Sequence, residues 1–196
     1  MNIKKSTSHL EISPIRASLS TEGGRTMVVA RLEGAAGVRG LDARASFTHP
    51  PRPRTVTAVR PEDLLPHRPP FLFVDEIVDL VPGQSARGRW RLTGEEWFFA
   101  GHFPGRPTLP GVLMCEAIAQ VGALAVLADE RFAGKLPLFG GLDSARFRRQ
   151  VGPGDELILE CEMGRLSTRA GKGSGRALLN GEVATECDLM FVVVGA

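Results

Sequence analysis

The alternation of apolar and polar positions divides the chain near residue 60. Before that point there is no sustained period, and only Val28-Val29-Ala30-Arg31-Leu32 reads as a strand. From Pro61 the texture changes. Pro61-Glu62-Asp63-Leu64-Leu65 reads as a short helix, with proline in its first turn and acids near its N-terminus. Phe71 to Val81 and Ser85 to Leu92 read as strands joined by a tight turn at Pro82-Gly83-Gln84, and residues 95–99 as one further helical turn. The stretch Gly101-His102-Phe103-Pro104-Gly105-Arg106-Pro107-Thr108-Leu109-Pro110-Gly111 carries too much glycine and proline for regular structure. A long helix then runs from Pro110 to about Glu130. Strands follow near 136–147, 155–165, 174–180 and 182–194, with turns at Pro153-Gly154-Asp155 and Asn180-Gly181. The layout is α+β: one long helix and about six strands, mostly antiparallel because their connections are short. The helix is apolar nearly all round from Val112 to Ala128, so it must be covered on most sides, as a sheet wrapped around it would do.

The length of 196 residues suits one domain plus an extension. No apolar run approaches the roughly 18 to 20 residues of a spanning helix, which argues against a membrane protein. The net charge of +2 averages two unlike parts: residues 1–60 hold ten Lys/Arg against four Asp/Glu, and residues 61–196 hold fourteen against eighteen. Residues 1–60 are therefore expected to be a basic, flexible N-terminal extension, closing with Pro50-Pro51-Arg52-Pro53-Arg54, and residues 61–196 the folded domain. Residues 1–26 have an alternative reading as an artefact of gene-start choice, with Met27 as the first residue. The dispersed arginines lack interleaved aromatics, which argues against a nucleic-acid-binding tail. The first residues lack the apolar core of a signal peptide, and Cys115, Cys161 and Cys187 form neither a disulfide framework nor a zinc motif. Buried free thiols in a reducing cytoplasm are expected.

Glu116 and Gln120 alone interrupt the apolar helix, and at i,i+4 they share a face. A carboxylate there is costly unless it is paired or held neutral. It either satisfies a buried group or a solvent channel, or serves as a proton donor. His102 sits in the loop that feeds the helix start, where the first N–H groups lack partners and carry the positive end of the helix dipole. Gly111 lets a substrate carbonyl approach those donors. Base, acid and oxyanion site together suit proton abstraction beside a carbonyl followed by loss of a protonated leaving group. Taken alone, His102 reads more readily as a hydrogen-bonded structural histidine than as a catalytic base.

The run from Gly101 to Gln120 resembles the signature of bacterial 3-hydroxyacyl-[acyl-carrier-protein] dehydratases of the FabZ type. Leu65-Pro66-His67-Arg68-Pro69-Pro70-Phe71-Leu72-Phe73-Val74-Asp75 is similar to that family's opening segment, and Gly141 to Arg149 with Pro153-Gly154-Asp155 to the strand after its helix. The similarity covers roughly 61–194. It implies a hot-dog fold, in which an antiparallel sheet wraps one long helix, and a homodimer or larger assembly of dimers with shared active sites, His102 from one protomer and Glu116 from the other. Glu116, where isomerising relatives usually carry Asp, implies a dehydratase without efficient isomerase activity. Two departures stand out: Pro69 where many members have Tyr, in a chain with no Tyr, and Gln150 where many have Pro.

The reaction implied is dehydration of a (3R)-hydroxyacyl-[acyl-carrier-protein] to the trans-2-enoyl product, in fatty-acid biosynthesis or a related specialised pathway. The backbone N–H of Gly111, with Val112, would bind the thioester carbonyl, His102 would take the C2 proton, and Glu116 would protonate the departing hydroxyl or orient the water while His102 shuttles the proton. Gln120 would hold Glu116. No metal or organic cofactor is expected, because the thioester is the electron sink. Arg146, Arg148 and Arg149 are candidates for contact with the acidic acyl carrier protein, or else a solvated strand end. A cytoplasmic enzyme follows. The alternatives are a hot-dog acyl thioesterase and a non-catalytic acyl-binding partner subunit; retention of both His102 and Glu116 argues against each. Gly171-Lys172-Gly173-Ser174-Gly175 lacks a phosphate loop's spacing and reads as a flexible hairpin, and His67 reads as a structural residue at the start of the domain.

Overall fold

The computed structural model describes residues 59–195, together with the backbone of 16–22 and 25–31. The chain divides into two compact units, residues 1–46 and 47–196. In the first, β1 (Arg16–Glu22) and β2 (Arg25–Arg31) pair antiparallel, with Ser20 opposite Met27. β2 takes in Val28 to Arg31 of the expected strand, and β1 was not anticipated. Leu32 and the Pro50–Arg54 run lie outside the described residues.

The second unit contains α1 (Pro61–Leu64), β3 (Glu76–Val81), β4 (Ser85–Arg91), α2 (Gly111–Leu127), β5 (Lys135–Phe147), β6 (Glu156–Leu166), β7 (Ala170–Leu179) and β8 (Glu182–Gly195). Six strands form one antiparallel sheet in the order β3-β4-β6-β7-β8-β5, and α2 touches all six. This is the expected α+β hot-dog architecture. The core forms where Met114, Ile118, Val121 and Leu124 of α2 meet Trp90, Leu157, Leu159, Leu189 and Phe191 of the sheet, all at most 3% exposed. Such burial on every side explains why the helix carries no polar stripe.

Four local expectations need correction. The strand expected from Phe71 begins only at Glu76, because the amide of Gln120 takes up the backbone before it: Phe73 N–H donates to Gln120 Oε1 at 2.8 Å, and Gln120 Nε2 donates to the Phe71 carbonyl at 3.0 Å. Residues 95–99 form turns rather than a helical turn, with the Glu96 carboxylate accepting from the N–H groups of Thr93 and Gly94, both at 2.8 Å. The long helix stops at Leu127, short of Glu130, where the Gly83 N–H reaches in to bind the Ala125 carbonyl at 2.7 Å and a 3-10 turn, Glu130–Phe132, follows. Gly171 to Gly175 are no hairpin. They lie inside β7, beneath the helix, where a Cβ on Gly175 would stand 2.2 Å from Ile118 Cγ2 and 2.7 Å from the Glu160 carbonyl. Gly175 is where the sheet comes close to α2.

β5 is an edge strand of 13 residues, irregular at two places and bearing exposed Leu138, Phe139, Leu142 and Phe147. A long apolar edge is what a protein normally blunts with charge or covers with another chain.

Candidate active site

α2 begins after Pro110, whose carbonyl accepts from Leu113 N–H at 2.9 Å. The N–H groups of Gly111 and Val112 have no acceptor among the described residues, so the helix presents two free donors where its dipole is positive. Phe147 of β5 lies over this end: a Cβ on Gly111 would fall 2.7 Å from Phe147 Cδ1, so a larger residue would have to push that ring aside. Val112 is 64% exposed, unlike the rest of the helix, and Phe103 and Phe147 beside it are half exposed.

The histidine loop is pinned to its neighbours through the backbone. His102 N–H donates to the Phe98 carbonyl at 2.9 Å and Thr108 N–H to the His102 carbonyl at 2.8 Å, while Leu109 N–H binds the Val151 carbonyl at 2.7 Å. The ring is also fixed, for His102 Nδ1 lies 2.8 Å from the Thr108 carbonyl oxygen. A carbonyl can only accept, so Nδ1 carries a hydrogen, and in the neutral ring the lone pair is on Nε2. The ring stacks on Phe103 with centroids 3.9 Å apart. Gln150, one of the two departures noted above, accepts from Arg106 Nη2 at 2.9 Å and ties the loop to the end of β5.

One turn into α2, Glu116 Oε1 accepts from Gln120 Nε2 at 3.0 Å. Gln120 is 1% exposed, and every polar atom of its amide is engaged. Oε1 also faces His67 Nε2 at 3.6 Å. The sequence reading missed this neighbour, although the position of His67 in the family-like opening segment was the available signal. Burial lowers the pKa of His67, with Glu116 opposing that shift and Arg68 adding to it. No hydrogen bond or ion pair joins His102 to Glu116 within one chain.

The three candidate docking arginines are not equivalent. Arg148 pairs with Glu186 and Arg149 with Glu182, whereas Arg146 is exposed and has no ion-pair partner among the described residues. All three cysteines are buried and free, and burial pushes the Cys161 thiol up to about 12, so it is no nucleophile. Among the described residues no group of three or more His, Cys, Asp or Glu is placed to hold a metal ion, and no helix is long and apolar enough to cross a membrane.

Fold and site together define a hot-dog protein with a histidine ring fixed through Nδ1, two unused helix-end donors and an anchored glutamate. Comparison with known proteins narrows the class. The FabA-like domain matches residues 65–188. The 3-hydroxyacyl-[acyl-carrier-protein] dehydratase FabZ of Moorella thermoacetica is 53% identical over 132 residues, spanning 67% of this chain and 92% of that protein. The protein of the same name from Clostridium botulinum (strain Okra / Type B1) is 50% identical over 130 residues, 66% of this chain and 90% of the relative. Among solved structures, the dehydratase heterocomplex ApeI:P from Xenorhabdus doucetiae shares the fold with a TM-score of 0.57 at 14% identity, over 69% of this chain and 91% of that one. The chain belongs to the FabA-like domain family, among its FabZ-type dehydratases.

Proposed function

We propose that the protein dehydrates (3R)-hydroxyacyl-[acyl-carrier-protein] to the trans-2-enoyl thioester in fatty-acid biosynthesis, as a hydro-lyase. The observation that carries this reading is the His102 ring: its Nδ1–H is committed to the Thr108 carbonyl, which leaves Nε2 basic in the loop that feeds two free helix-end donors. The thioester carbonyl accepts from Gly111 N–H, with Val112 beside it, and the positive helix end stabilises the enolate that forms when His102 Nε2 removes the C2 proton. The electron pair then moves to form the C2–C3 double bond as the C3–O bond breaks, and Glu116 protonates the departing hydroxyl to release water. In the variant of this scheme, His102 returns the proton while Glu116 orients the water.

Within one chain His102 and Glu116 do not touch, which fits a site completed by a second copy. The exposed apolar residues of β5 and Val112 at the helix end are the surface such a copy would cover. We infer a homodimer or an assembly of dimers in the cytoplasm, with residues 1–60 as an extension outside the catalytic unit. Arg146 is the favoured first contact for the acidic carrier, since Arg148 and Arg149 must first give up their glutamates.

Enoyl formation from a 3-hydroxyacyl-carrier or 3-hydroxyacyl-CoA thioester, followed by absorbance, tests the reading. His102→Ala should lower kcat/KM about 10²- to 10⁴-fold. Turnover at the wild-type rate by that variant removes His102 as the base, and release of free thiol instead of enoyl product replaces the dehydratase with a thioesterase.

A further inference from the structure

His67 enters the mechanism nowhere so far, yet it is the second side chain against Glu116. Its Nε2 stands 3.6 Å from Glu116 Oε1, and its Nδ1 is buried without a partner. Two charged groups act on the ring, Glu116 from α2 and Arg68 from the loop itself; burial, with Arg68 in the same direction, outweighs Glu116 and keeps it neutral near pH 7. A neutral imidazole has two tautomers. Placing the hydrogen on Nδ1 would bury an orphaned donor and aim a lone pair at a carboxyl oxygen. Placing it on Nε2 leaves only a bare acceptor buried and turns the N–H toward Oε1, the less costly arrangement.

Oε1 therefore faces two N–H donors, the Gln120 amide at 3.0 Å and His67. No hydrogen bond or ion pair of the described residues engages Oε2. A proton on Oε1 would point at two donors, so a protonated carboxyl carries its hydrogen on Oε2. We propose that His67 is a positioning residue: with Gln120 it saturates one oxygen of Glu116 and directs the transferable proton onto Oε2, the oxygen left for substrate. This rests on the dehydratase reading, because only an acid that must deliver a proton in one direction needs its two oxygens made unequal. It also gives the opening segment a chemical task. The loop that carries His67 runs on into Phe71 and Phe73, whose backbone binds the same Gln120 amide.

The test compares His67→Phe, which keeps a ring and removes the donor, with His67→Gln, which returns an N–H near the place of Nε2. The expected result is kcat about tenfold lower in H67F, with KM within about twofold of wild type. H67Q should recover most of the loss. Wild-type kcat in H67F, or equal loss in both variants, overturns the proposal. A separate readout serves if H67F does not fold: the NMR titration of the His67 ring, in wild type and in Glu116→Gln. Because Glu116 raises the proton affinity of His67, its midpoint should move to lower pH in E116Q, and an unchanged midpoint overturns the contact. Absence of enoyl product from the wild-type enzyme sinks the dehydratase reading and the positioning role with it, whereas the titration reports on the contact alone.

Discussion

Glu116 on α2 and Glu160 on β6 are both largely buried, and they keep different company. Glu160 lies between two guanidiniums, Arg87 Nε at 2.9 Å and Arg176 Nε at 2.7 Å. The sheet register makes the three residues cross-strand neighbours, so the ladder itself supplies the compensation. Among the described residues no cation pairs with Glu116, which meets only a neutral amide and an imidazole kept neutral by burial. Two cations balance the charge of a carboxylate through ion pairs, whereas neutral donors fix its position without a countercharge. The first arrangement suits a structural part and the second a proton donor.

The sharpest way to break this contrast is to neutralise each glutamate in turn. Glu116→Gln should lower enoyl formation about 10²- to 10⁴-fold while the melting temperature stays close to wild type. Glu160→Gln should do the reverse. It removes the carboxylate that Arg87 and Arg176 share, and because these are about one-third exposed they relax toward water. We expect a loss of about 2 kcal/mol, or roughly 5–10 °C in Tm, with turnover kept. Should E160Q abolish turnover at unchanged Tm, the division into structural and chemical glutamates is wrong.

Gln120→Leu sharpens the comparison, since Gln120 serves both roles. It strands the Phe73 N–H and the Phe71 carbonyl, for a cost of about 1–3 kcal/mol, and releases Glu116. Kinetics and thermal melts of one sample should both change; a change in only one separates the roles.

The smallest effect concerns pH. His67 binds a proton less readily in the fold than in the unfolded chain, whose value is near 6.5. The unfolded state therefore takes up more protons as pH falls through that value, and the stability present above about 6.5 declines toward the lower folded midpoint. Tm measured between pH 7.5 and about 5 should fall less steeply in His67→Gln than in wild type. Equal slopes would mean that His67 carries no such burden.

Much of this was legible in the chain itself. The apolar run from Val112 to Ala128 required a wrapped helix, and Gly111, Glu116 and Gln120 could be placed on its first turns by spacing alone. The four long strands were found, although β7 starts at Ala170 rather than near 174, since a glycine-rich stretch reads as a turn unless the helix above it is known. The start of β3 was misjudged for a related reason. Phe71 to Asp75 have strand-like side chains, but the Phe73 N–H is taken by a glutamine 47 residues further along, which also binds the Phe71 carbonyl.

The sequence by itself determined the α+β class, the buried helix, the loop carrying His102 and the chemistry available to Glu116. These follow from periodicity, from the backbone limits of glycine and proline, and from the cost of a carboxylate among apolar neighbours. Only the tertiary structure decided which oxygen of Glu116 is anchored, that His67 stands beside it, that two of three candidate arginines are already paired, and that Glu160 is held by two arginines. Apart from the i,i+4 contact of Gln120 with Glu116, each of these joins residues distant in sequence, set by strand register and by the seating of helix on sheet. No local pattern encodes such a meeting.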